Sequence, residues 1–408
     1  MNNRFLVLLC SLALVSSMAC ANSGYGPQGG WSGPTVDIST AGEQTILVAN
    51  QSGQILALDG NRRGQIKWRT LYSEETTSPV YSTITLGPNN SGLFGTWDGR
   101  LIAIDRVNGS EQWSYPLDQG PIIGGVAFST NTDKKSSWKH RIYAGSSNGT
   151  LFALNLSEIN QPPTILWEFQ TQDKIWGTPL IHEYAQNIDH NILIFGSMDH
   201  KVYALNSDTG EELWQFETTG AVAGMPLIIG DTVYAGSFDR HLYAIDLFSG
   251  KKKWTFKTDG WLWNQFAVDN LQDADANLYI PSREGTLYAL DQEGNLLWQY
   301  AADSKVISSP VFTHDNELNL LSMITEEGTL LVFDTNKCPH NGSSCSPIWS
   351  YIVGEKVQAP LTVVDGIVYI NAMDDSVRGV HLSEAIELWN RSIAKQDKYR
   401  RNLWNIYH

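Results

Sequence analysis

Two cysteines in the C-terminal part of the chain carry its clearest reactive chemistry. Cys338 and Cys345 flank the segment Pro339-His340-Asn341-Gly342 in a sequence of 408 residues. In an oxidising compartment, two cysteines at this spacing can pair and staple the loop between them. His340 would add a third ligand for a metal ion, but the CxxC pairs that characterise zinc sites are missing. We therefore predict a structural disulfide between Cys338 and Cys345 and no metal site.

Sequence signatures of catalysis are missing elsewhere. The chain has no nucleophile triad motif, no phosphate-binding loop and no GxGxxG dinucleotide turn. Its nine histidines are scattered, and only His182 and His190 could share a site, around a loop. We expect packing or surface roles for the histidines. The sequence therefore predicts no catalytic residues and does not favour an enzyme.

Additional tryptophans in predicted loops are the candidates for binding a partner or ligand. Trp176, Trp261 and Trp263, the last followed by Asn264, lie in loops that precede strand-rich segments. If equivalent loops of a repeat gather around a central channel, these tryptophans would lie at its mouth. Aromatic side chains exposed at such a mouth are typical of sites that recognise peptides, glycans or cofactors. The same rings could instead close the channel as a structural plug, and the sequence leaves both interpretations open.

A second set of predicted turns is rich in carboxylates and amides. Such turns could bind a cation or a basic partner surface. We favour solvated turns, because Asp and Asn are common wherever a side chain can hydrogen-bond the turn backbone. The set consists of Asp98, Asn148, Asp199, Asp239, Glu284, Glu327, Asp374 and Asp375, with Arg100, Arg240 and Arg283 among them.

These candidate residues lie within a repeat that spans most of the chain. In its fifth copy, residues 224–229, 232–237, 241–246 and 253–257 are short β-rich segments separated by turn residues, which predicts four antiparallel strands. A strand repeat at intervals of 40 to 54 residues is typical of a β-propeller. One tryptophan marks each copy: Trp68, Trp113, Trp167, Trp214, Trp254, Trp298, Trp349 and Trp389.

The repeat predicts an all-β fold, an eight-bladed β-propeller of four-stranded antiparallel blades within residues 31–393. Closing the ring avoids an unpaired sheet edge that would favour association. Residues 394–408 form a C-terminal tail that could add a closing strand. The blades are predicted near residues 31–71, 79–117, 122–171, 177–218, 224–258, 264–301, 308–353 and 359–393.

The recurring residues of the repeat have structural explanations. We predict that each repeat tryptophan wedges against the neighbouring blade, and that Trp214 and Trp254, from the most regular copies, are buried there. Glycine in the last turn of a copy, such as Gly250, tolerates the positive φ of tight hairpins. An Asp or Asn after the third strand can cap this turn through its side-chain oxygen. These capping residues are Asp59, Asp105, Asn155, Asn206, Asp246, Asp291 and Asp334.

The repeated phrase Leu-Tyr-Ala-Leu-Asp, followed by Gly and Trp, resembles the repeat of the pyrroloquinoline quinone-like propeller family. Within that family, an exported single propeller of this length is similar to the propeller lipoprotein subunit of the outer-membrane β-barrel assembly machinery. The family also includes quinone-dependent dehydrogenases, which carry a disulfide between adjacent cysteines and a Glu/Asn/Asp calcium set. This chain has no adjacent cysteine pair. We therefore expect no cofactor, with pyrroloquinoline quinone as the alternative.

The N-terminal residues predict export. Arg4 and the apolar residues 5–15 are typical of a signal peptide, which we place at residues 1–20. Cys20 resembles the lipidated cysteine of a bacterial lipoprotein, and ordinary cleavage after Ala21 is the alternative. The Gly-rich and polar residues 21–30 are typical of a flexible tether. We predict an outer-membrane lipoprotein that faces the periplasm, or else a soluble periplasmic or secreted protein.

The net charge of −15 at pH 7 argues against nucleic acid or an anionic membrane surface as a partner, because both require basic patches. We expect membrane contact only through an N-terminal lipid anchor. The favoured function is a non-enzymatic envelope scaffold that presents loops to a protein partner, with outer-membrane protein assembly as a candidate process. The alternatives are a quinone-dependent oxidoreductase or quinone-binding module, and a propeller that binds glycans or cell wall.

Overall fold

Eight four-stranded antiparallel sheets make up the structure, which confirms the predicted eight-bladed β-propeller. The computed structural model describes residues 32–50, 52–70, 78–130, 139–158, 161–183, 191–270, 275–315 and 317–394. The predicted signal peptide with Cys20, the tether and the tail beyond Ala394 lie outside these residues. No helix in the described ranges has the length and apolar character needed to cross a membrane.

The first four blades each use four consecutive strands. Blade 1 contains β1 (Thr35–Ile38), β2 (Gln44–Ala49), β3 (Ile55–Asp59) and β4 (Gln65–Arg69). Blade 2 contains β5 (Thr85–Leu86), β6 (Ser91–Gly95), β7 (Arg100–Asp105) and β8 (Glu111–Pro116). Blade 3 contains β9 (Ala127–Thr130), β10 (His140–Gly145), β11 (Thr150–Leu156) and β12 (Thr164–Gln170). Blade 4 contains β13 (Leu180–His182), β14 (Ile192–Ser197), β15 (Lys201–Asn206) and β16 (Glu212–Glu217).

The last four blades follow the same order. Blade 5 contains β17 (Leu227–Ile229), β18 (Thr232–Gly236), β19 (His241–Asp246) and β20 (Lys252–Lys257). Blade 6 contains β21 (Ala267–Val268), β22 (Leu278–Pro281), β23 (Thr286–Leu290) and β24 (Leu296–Ala301). Blade 7 contains β25 (Val311–Asp315), β26 (Leu318–Ile324), β27 (Thr329–Asp334) and β28 (Trp349–Ile352). Blade 8 contains β29 (Thr362–Val364), β30 (Ile367–Ala372), β31 (Ser376–His381) and β32 (Ile386–Ser392). Short 3₁₀ turns at Gly60–Arg62 and Thr335–Lys337 follow β3 and β27.

The hydrophobic core lies between the blades. The first strands of neighbouring blades contact one another. For example, β9 contacts β13 and β25 contacts β29. The first strands therefore surround the central axis. Middle strands such as β14 are buried at every position, whereas the outer strand β16 is mostly exposed. Each of the eight interfaces between adjacent blades holds one cluster of buried apolar side chains. Because neighbouring blades cover both faces of each middle strand, these strands have continuous apolar sequences.

The repeat tryptophans lie at these interfaces. The indole Nε1 of Trp214 donates a 2.8 Å hydrogen bond to the carbonyl oxygen of Leu247 in the next blade. Four other indoles also donate to a carbonyl oxygen of the following blade: Trp68, Trp167, Trp254 and Trp349. The rings of Trp113, Trp214, Trp298 and Trp389 are buried. The other four are partly buried, and these include Trp254. The prediction of a buried ring is therefore confirmed for Trp214 and wrong for Trp254, whose outer strand β20 is mostly exposed.

In seven blades, a small residue on the third strand pairs with the repeat tryptophan on the fourth strand. Ala204 pairs with Trp214 and Ala244 with Trp254, and the strand register shifts at the following residue. The same arrangement occurs in blades 1, 2, 3, 6 and 8. A small side chain leaves space for the indole, which explains the alanine in the repeated phrase.

The predicted caps form in the turns between the third and fourth strands. Oδ1 of Asp246 accepts a 2.9 Å hydrogen bond from the backbone N–H of Ser249. Asn155 differs, because its Nδ2 donates to Oγ of Ser157 instead. The other side chains that accept from their own turn are Asp59, Asp105, Asn206, Asp291 and Asp334.

The ring closes between blades 1 and 8 through side chains, because each of these blades takes all four strands from its own end of the chain. Gln44 donates from Nε2 to Oδ2 of Asp365 at 2.7 Å and accepts from the hydroxyl of Tyr369 at 2.8 Å. Nε of Arg391 donates to the carbonyl oxygen of Gly64 at 3.1 Å. The seam therefore depends on packing and hydrogen bonds rather than on a strand shared between the two ends.

Candidate functional site

Two loops of every blade lie on the same face of the propeller. The leading loop precedes the first strand, and the inner hairpin joins the second and third strands. In blade 5, the backbone N–H of Phe238 in the inner hairpin donates to the carbonyl oxygen of Ala221 in the leading loop at 2.9 Å. The equivalent bond forms in blades 2, 3, 4, 6, 7 and 8. The leading loops and inner hairpins therefore make one continuous surface, which we call the loop face.

The leading loops surround an opening at the central axis, which we call the mouth. It encloses a cavity of about 160 Å³. Its lining consists of aromatic, aliphatic, amide, hydroxyl and backbone groups and, among the described residues, no charged side chain. Lining residues from several blades include Tyr81, Trp176, Met225, Trp263, Asn264 and Gln358.

Small residues let the leading loops approach one another around the mouth. A Cβ added to Gly177 would lie 2.7 Å from the carbonyl oxygen of Gly224, and one added to Gly224 would lie 2.9 Å from that of Trp263. Real Cβ atoms do not come so close to a backbone oxygen. Glycine at positions 177 and 224 therefore lets blades 4, 5 and 6 approach one another closely at the mouth.

The rings of Trp176, Trp263, Phe238 and Trp261 form a continuous group, which we call the aromatic cluster. The centroids of Trp176 and Trp263 are 5.8 Å apart. Phe238 stacks on Trp263 at 5.3 Å and 16° and on Trp261 at 5.0 Å and 10°. The guanidinium carbon of Arg283 lies 5.5 Å from the centroid of Trp261, within the range of a cation–π contact.

The aromatic cluster extends from the mouth to the surrounding loop face. Trp176 and Trp263 line the mouth, whereas Trp261 lies outside it with 44% of its area exposed. Ala223 occupies the equivalent leading-loop position between Trp176 and Trp263, and its small side chain lets the two indoles meet across blade 5. The three tryptophans singled out in the sequence thus belong to one surface.

The other predicted binding residue, Asn264, has a structural contact. Its side chain is 5% exposed, and Nδ2 donates to the carbonyl oxygen of Ser308 in blade 7 at 3.2 Å. Asn264 therefore links two blades while it lines the mouth. The equivalent leading-loop positions of other blades are occupied by small residues, such as Gly177 in blade 4 and Gly224 in blade 5.

Phe238 is the cluster member that sequence analysis missed, because it lies in a turn that was considered for its charges. The sequence does carry one indication of its role: Phe238 directly follows Ser237, at the hairpin position where blade 2 has Trp97. Trp97 is 39% exposed, and its ring centroid lies 5.3 Å from that of Tyr81 in the leading loop of blade 2. Large aromatic residues at this hairpin position therefore pack on aromatic residues of a leading loop, that of the same blade for Trp97 and that of the next blade for Phe238.

Two carboxylates of the acidic turns organise the loops. Oδ2 of Asp239 accepts hydrogen bonds from the hydroxyl of Tyr243 at 2.7 Å and from the backbone N–H of Thr219 at 2.9 Å. Asp199 likewise accepts from Tyr203 at 2.7 Å and from the backbone N–H of Gln172 at 3.0 Å. Burial acts to raise the pKa of Asp239, but the hydrogen bonds from Tyr243, Thr219 and the His241 backbone outweigh it and hold the pKa below its ordinary value.

The donor groups at the mouth do not suit a metal ion or pyrroloquinoline quinone. No group of three or more His, Cys, Asp or Glu side chains in the described ranges could hold a metal ion. The quinone is a tricarboxylate and needs cationic groups or a metal to balance its charge. The described lining of the mouth supplies neither.

Cys338 and Cys345 form a disulfide. The residues between them, which we call the strap, continue from blade 7 onto the outer strand of blade 6. The backbone N–H of Gln299 donates to the carbonyl oxygen of Ser343 at 3.2 Å, and that of Cys345 donates to the carbonyl oxygen of Gln299 at 3.0 Å. The strap therefore covers part of the edge of β24.

Sequence relatives match only part of the chain. A polyvinylalcohol dehydrogenase from Sphingopyxis sp. (strain 113P3) is 22% identical over 247 residues, which cover 48% of this chain and 36% of that protein. The beta-alanine-activating enzyme of Danio rerio is 30% identical over 95 residues, which cover 23% of this chain and 8% of that enzyme. The matched regions are thus well under half the length of either relative.

Solved structures share the fold. BamB from Moraxella catarrhalis superposes with a TM-score of 0.62 at 18% identity, covering 83% of this chain and 91% of that chain. The computationally designed Ika8 protein superposes with a TM-score of 0.64 at 18% identity, covering 86% and 96% of the two chains.

Family models give the broadest sequence match. The model of the lambda-carrageenase β-propeller domain matches residues 232–321. The model described as outer membrane protein assembly factor BamB matches residues 28–167 and 161–262. These two overlapping matches cover more than half of the 408 residues. The chain therefore belongs to the family of the outer membrane protein assembly factor BamB.

Proposed function

We propose that this protein is a non-enzymatic envelope scaffold that binds a protein partner through its loop face, in outer-membrane protein assembly. The aromatic cluster carries the proposal, because its rings are held against one another while Trp261 keeps 44% of its area exposed. An aromatic side chain that a partner desolvates often contributes about 2 kcal/mol or more to binding. Membership of the BamB family supports the proposed process.

The contacts within the aromatic cluster favour a protein partner over a glycan. Phe238 stacks between Trp261 and Trp263 and covers the sides that face it. The guanidinium of Arg283 also lies against the Trp261 ring. A sugar requires a free aromatic face on which to stack, whereas protein side chains pack readily against the ring edges that remain.

Affinity purification from detergent-solubilised envelopes tests the proposal with a matched pair of variants. Trp261→Ala removes the exposed ring of the cluster. Phe248→Ala removes a ring that is 47% exposed in the turn between the third and fourth strands of blade 5, at the opposite face. We expect Trp261→Ala to weaken binding of the principal partner about 30-fold and Phe248→Ala to leave it unchanged. Equal recovery of that partner by the two variants would reject the loop face as its binding site.

A quinone-dependent oxidoreductase is the second candidate, supported by the 22% identity to polyvinylalcohol dehydrogenase. The uncharged mouth argues against it. The test is to incubate the purified protein with pyrroloquinoline quinone and Ca²⁺, remove free quinone and record the absorbance spectrum. Scaffold function predicts no retained quinone, whereas a stoichiometric quinone spectrum would support the oxidoreductase.

We also propose that Cys20 is the lipid-anchored first residue of the mature chain in the outer membrane. Its place before the polar and Gly-rich residues 21–30 supports this assignment. Cys20→Ser is expected to move the protein from the membrane fraction to the soluble periplasmic fraction. A wild-type intact mass that corresponds to an unmodified chain beginning at Asn22 would contradict lipidation.

A further inference from the structure

We infer that the mouth receives one large uncharged side chain from an extended segment of the partner, and that basic residues flank this side chain. The inference rests on the proposed function and adds the chemistry of the segment that is bound. It depends on the size of the mouth, on its uncharged lining and on the acidic hairpins around it.

The cavity of the mouth has the size for a single side chain. Its volume is about 160 Å³, whereas pockets for drug-sized ligands usually enclose about 300–1,000 Å³. Partly buried Trp176, Trp263 and Ile307 contribute large apolar surfaces to its wall. A large side chain inserted there would lose its hydration and gain contacts on several sides, which is how interface hot spots are built.

The lining of the mouth selects against charge. The polar groups that its described residues contribute are neutral, such as the amides of Asn264 and Gln358 and the hydroxyl of Ser309. Burying an ionised side chain among such groups, without an opposite charge, costs several kcal/mol. An aromatic or aliphatic side chain meets no such penalty.

The aromatic cluster gives the bound segment a path out of the mouth. Trp176 and Trp263 belong to both the wall of the mouth and the cluster, which continues through Phe238 to Trp261 on the open loop face. A segment that leaves the mouth along these rings must have an extended backbone, because it enters a narrow cavity and then follows the surface.

Charge on the surrounding hairpins favours basic flanking residues. Asp98, Glu284 and Asp374 are exposed on inner hairpins, and the chain carries a net charge of −15. On the same face, Lys174 and Lys356 are paired with carboxylates, at 3.3 Å and 3.5 Å. Arg240 and Lys305 are also exposed there, but the exposed carboxylates outnumber these cations because they also include Asp173, Asp303, Glu327 and Glu355. A basic segment would be attracted to this surface, and its association would weaken as salt is added.

A fluorescein-labelled peptide, Gly-Ser-Lys-Gly-Phe-Gly-Lys-Ser-Gly, tests the inference by fluorescence anisotropy at low salt with the full-length protein. We expect saturable binding. Replacing the peptide Phe with Glu, or both Lys with Glu, should weaken binding at least about tenfold, as should Ile307→Trp, which fills the mouth from the blade 7 side. Equal binding of the three peptides, binding that Ile307→Trp leaves unchanged, or no binding by the wild type would overturn the inference.

The melting temperature of Ile307→Trp shows whether the variant is folded. If it is not, Met225→Glu, which places a charge in the lining, replaces it with the same expectation. Recovery of the natural partner separates the two levels of the proposal. If Trp261→Ala loses the partner while the mouth variants retain it, the mouth inference fails and the proposed function stands. If neither change affects recovery, both fail.

Discussion

At the scale of single residues, the tryptophans of this chain divide into two groups according to what their indoles contact. Trp214 and its equivalents join one blade to the next, and a hydrogen bond donated by Nε1 fixes the orientation of Trp68, Trp167, Trp214, Trp254 and Trp349. Trp261 contacts other rings of the loop face and remains 44% exposed. The same residue type therefore has a role in stability at one position and is available for binding at the other.

This division predicts different costs for two truncations. Trp214→Ala should lower the free energy of unfolding by about 3–5 kcal/mol, as expected when a large buried side chain leaves a cavity. Trp261→Ala should lower it by about 1 kcal/mol or less, because the lost stacking on Phe238 is partly solvated. Denaturant unfolding of both variants provides the comparison. Equal losses would mean that the aromatic cluster is a structural plug.

Asp239 predicts a specific response to acid. Its folded-state pKa lies below the ordinary value of 3.8, so the folded state binds fewer protons near that pH than the unfolded state. The stability from this carboxylate is complete at neutral pH and is lost as the pH falls through 3.8 towards the folded-state pKa. Asp239→Asn should therefore melt at a lower temperature than wild type at pH 7, with a smaller difference at pH 3. A difference that does not shrink in acid would contradict this role.

At the scale of elements, the turn glycines show how local geometry and blade packing combine. Gly250 has a φ of +66°, as a tight hairpin requires. It also lies directly under Trp214 of the preceding blade, where a Cβ would come within 2.8 Å of the ring. The sequence supports only the first explanation, because the second depends on which blade faces the turn.

Two glycine substitutions in blade 5 separate these effects. Gly230 has a φ of +52° and no atom within 4 Å of an added Cβ. Gly230→Ala should thus report the backbone cost alone, about 1 kcal/mol. Gly250→Ala should lower the free energy of unfolding further, because Trp214 must also move. Thermal unfolding that shows the same loss for both would argue against tryptophan docking on this turn.

The strap is an element whose partner could not be predicted from the sequence. The spacing of Cys338 and Cys345 indicates a staple, but its hydrogen bonds to Gln299 in blade 6 depend on the fold. Replacing both cysteines with serine should cost about 2–3 kcal/mol of stability for a loop of this size. Reductant should lower the melting temperature of the wild type and leave the double variant unchanged. A wild type that is insensitive after its thiols are shown to be free would contradict a stabilising strap.

At the scale of the whole molecule, the repeat was sufficient to predict the fold, while the loop face was only partly predictable. Periodic tryptophans and strand-length apolar runs identify eight four-stranded blades, because each blade follows the same local rules. Equivalent loops also predict that Trp176 and Trp263 share a face. The place of Phe238 between Trp261 and Trp263 was not predictable, because it depends on contacts between different loops of adjacent blades. The structural contact of Asn264 with Ser308 was not predictable either, because it arises only when blades 6 and 7 pack together.

Closure of the ring also separates the loop face from the circumference. Loops from all blades converge on the loop face, whereas the outer strands form the circumference and carry isolated apolar side chains such as Ile352, which is 73% exposed. Exposure alone therefore does not mark the binding surface. If the loop face binds the partner, contact with the partner must depend on where a residue lies in the ring.

Site-specific photo-crosslinking in intact cells measures this requirement most directly. Benzoylphenylalanine is placed at Trp261 on the loop face and, as a control, at Ile352 on the circumference. Binding through the loop face predicts one discrete protein adduct from position 261 that is weak or missing from position 352. Equal adducts from both positions, or an adduct from position 352 alone, would contradict a partner-binding loop face.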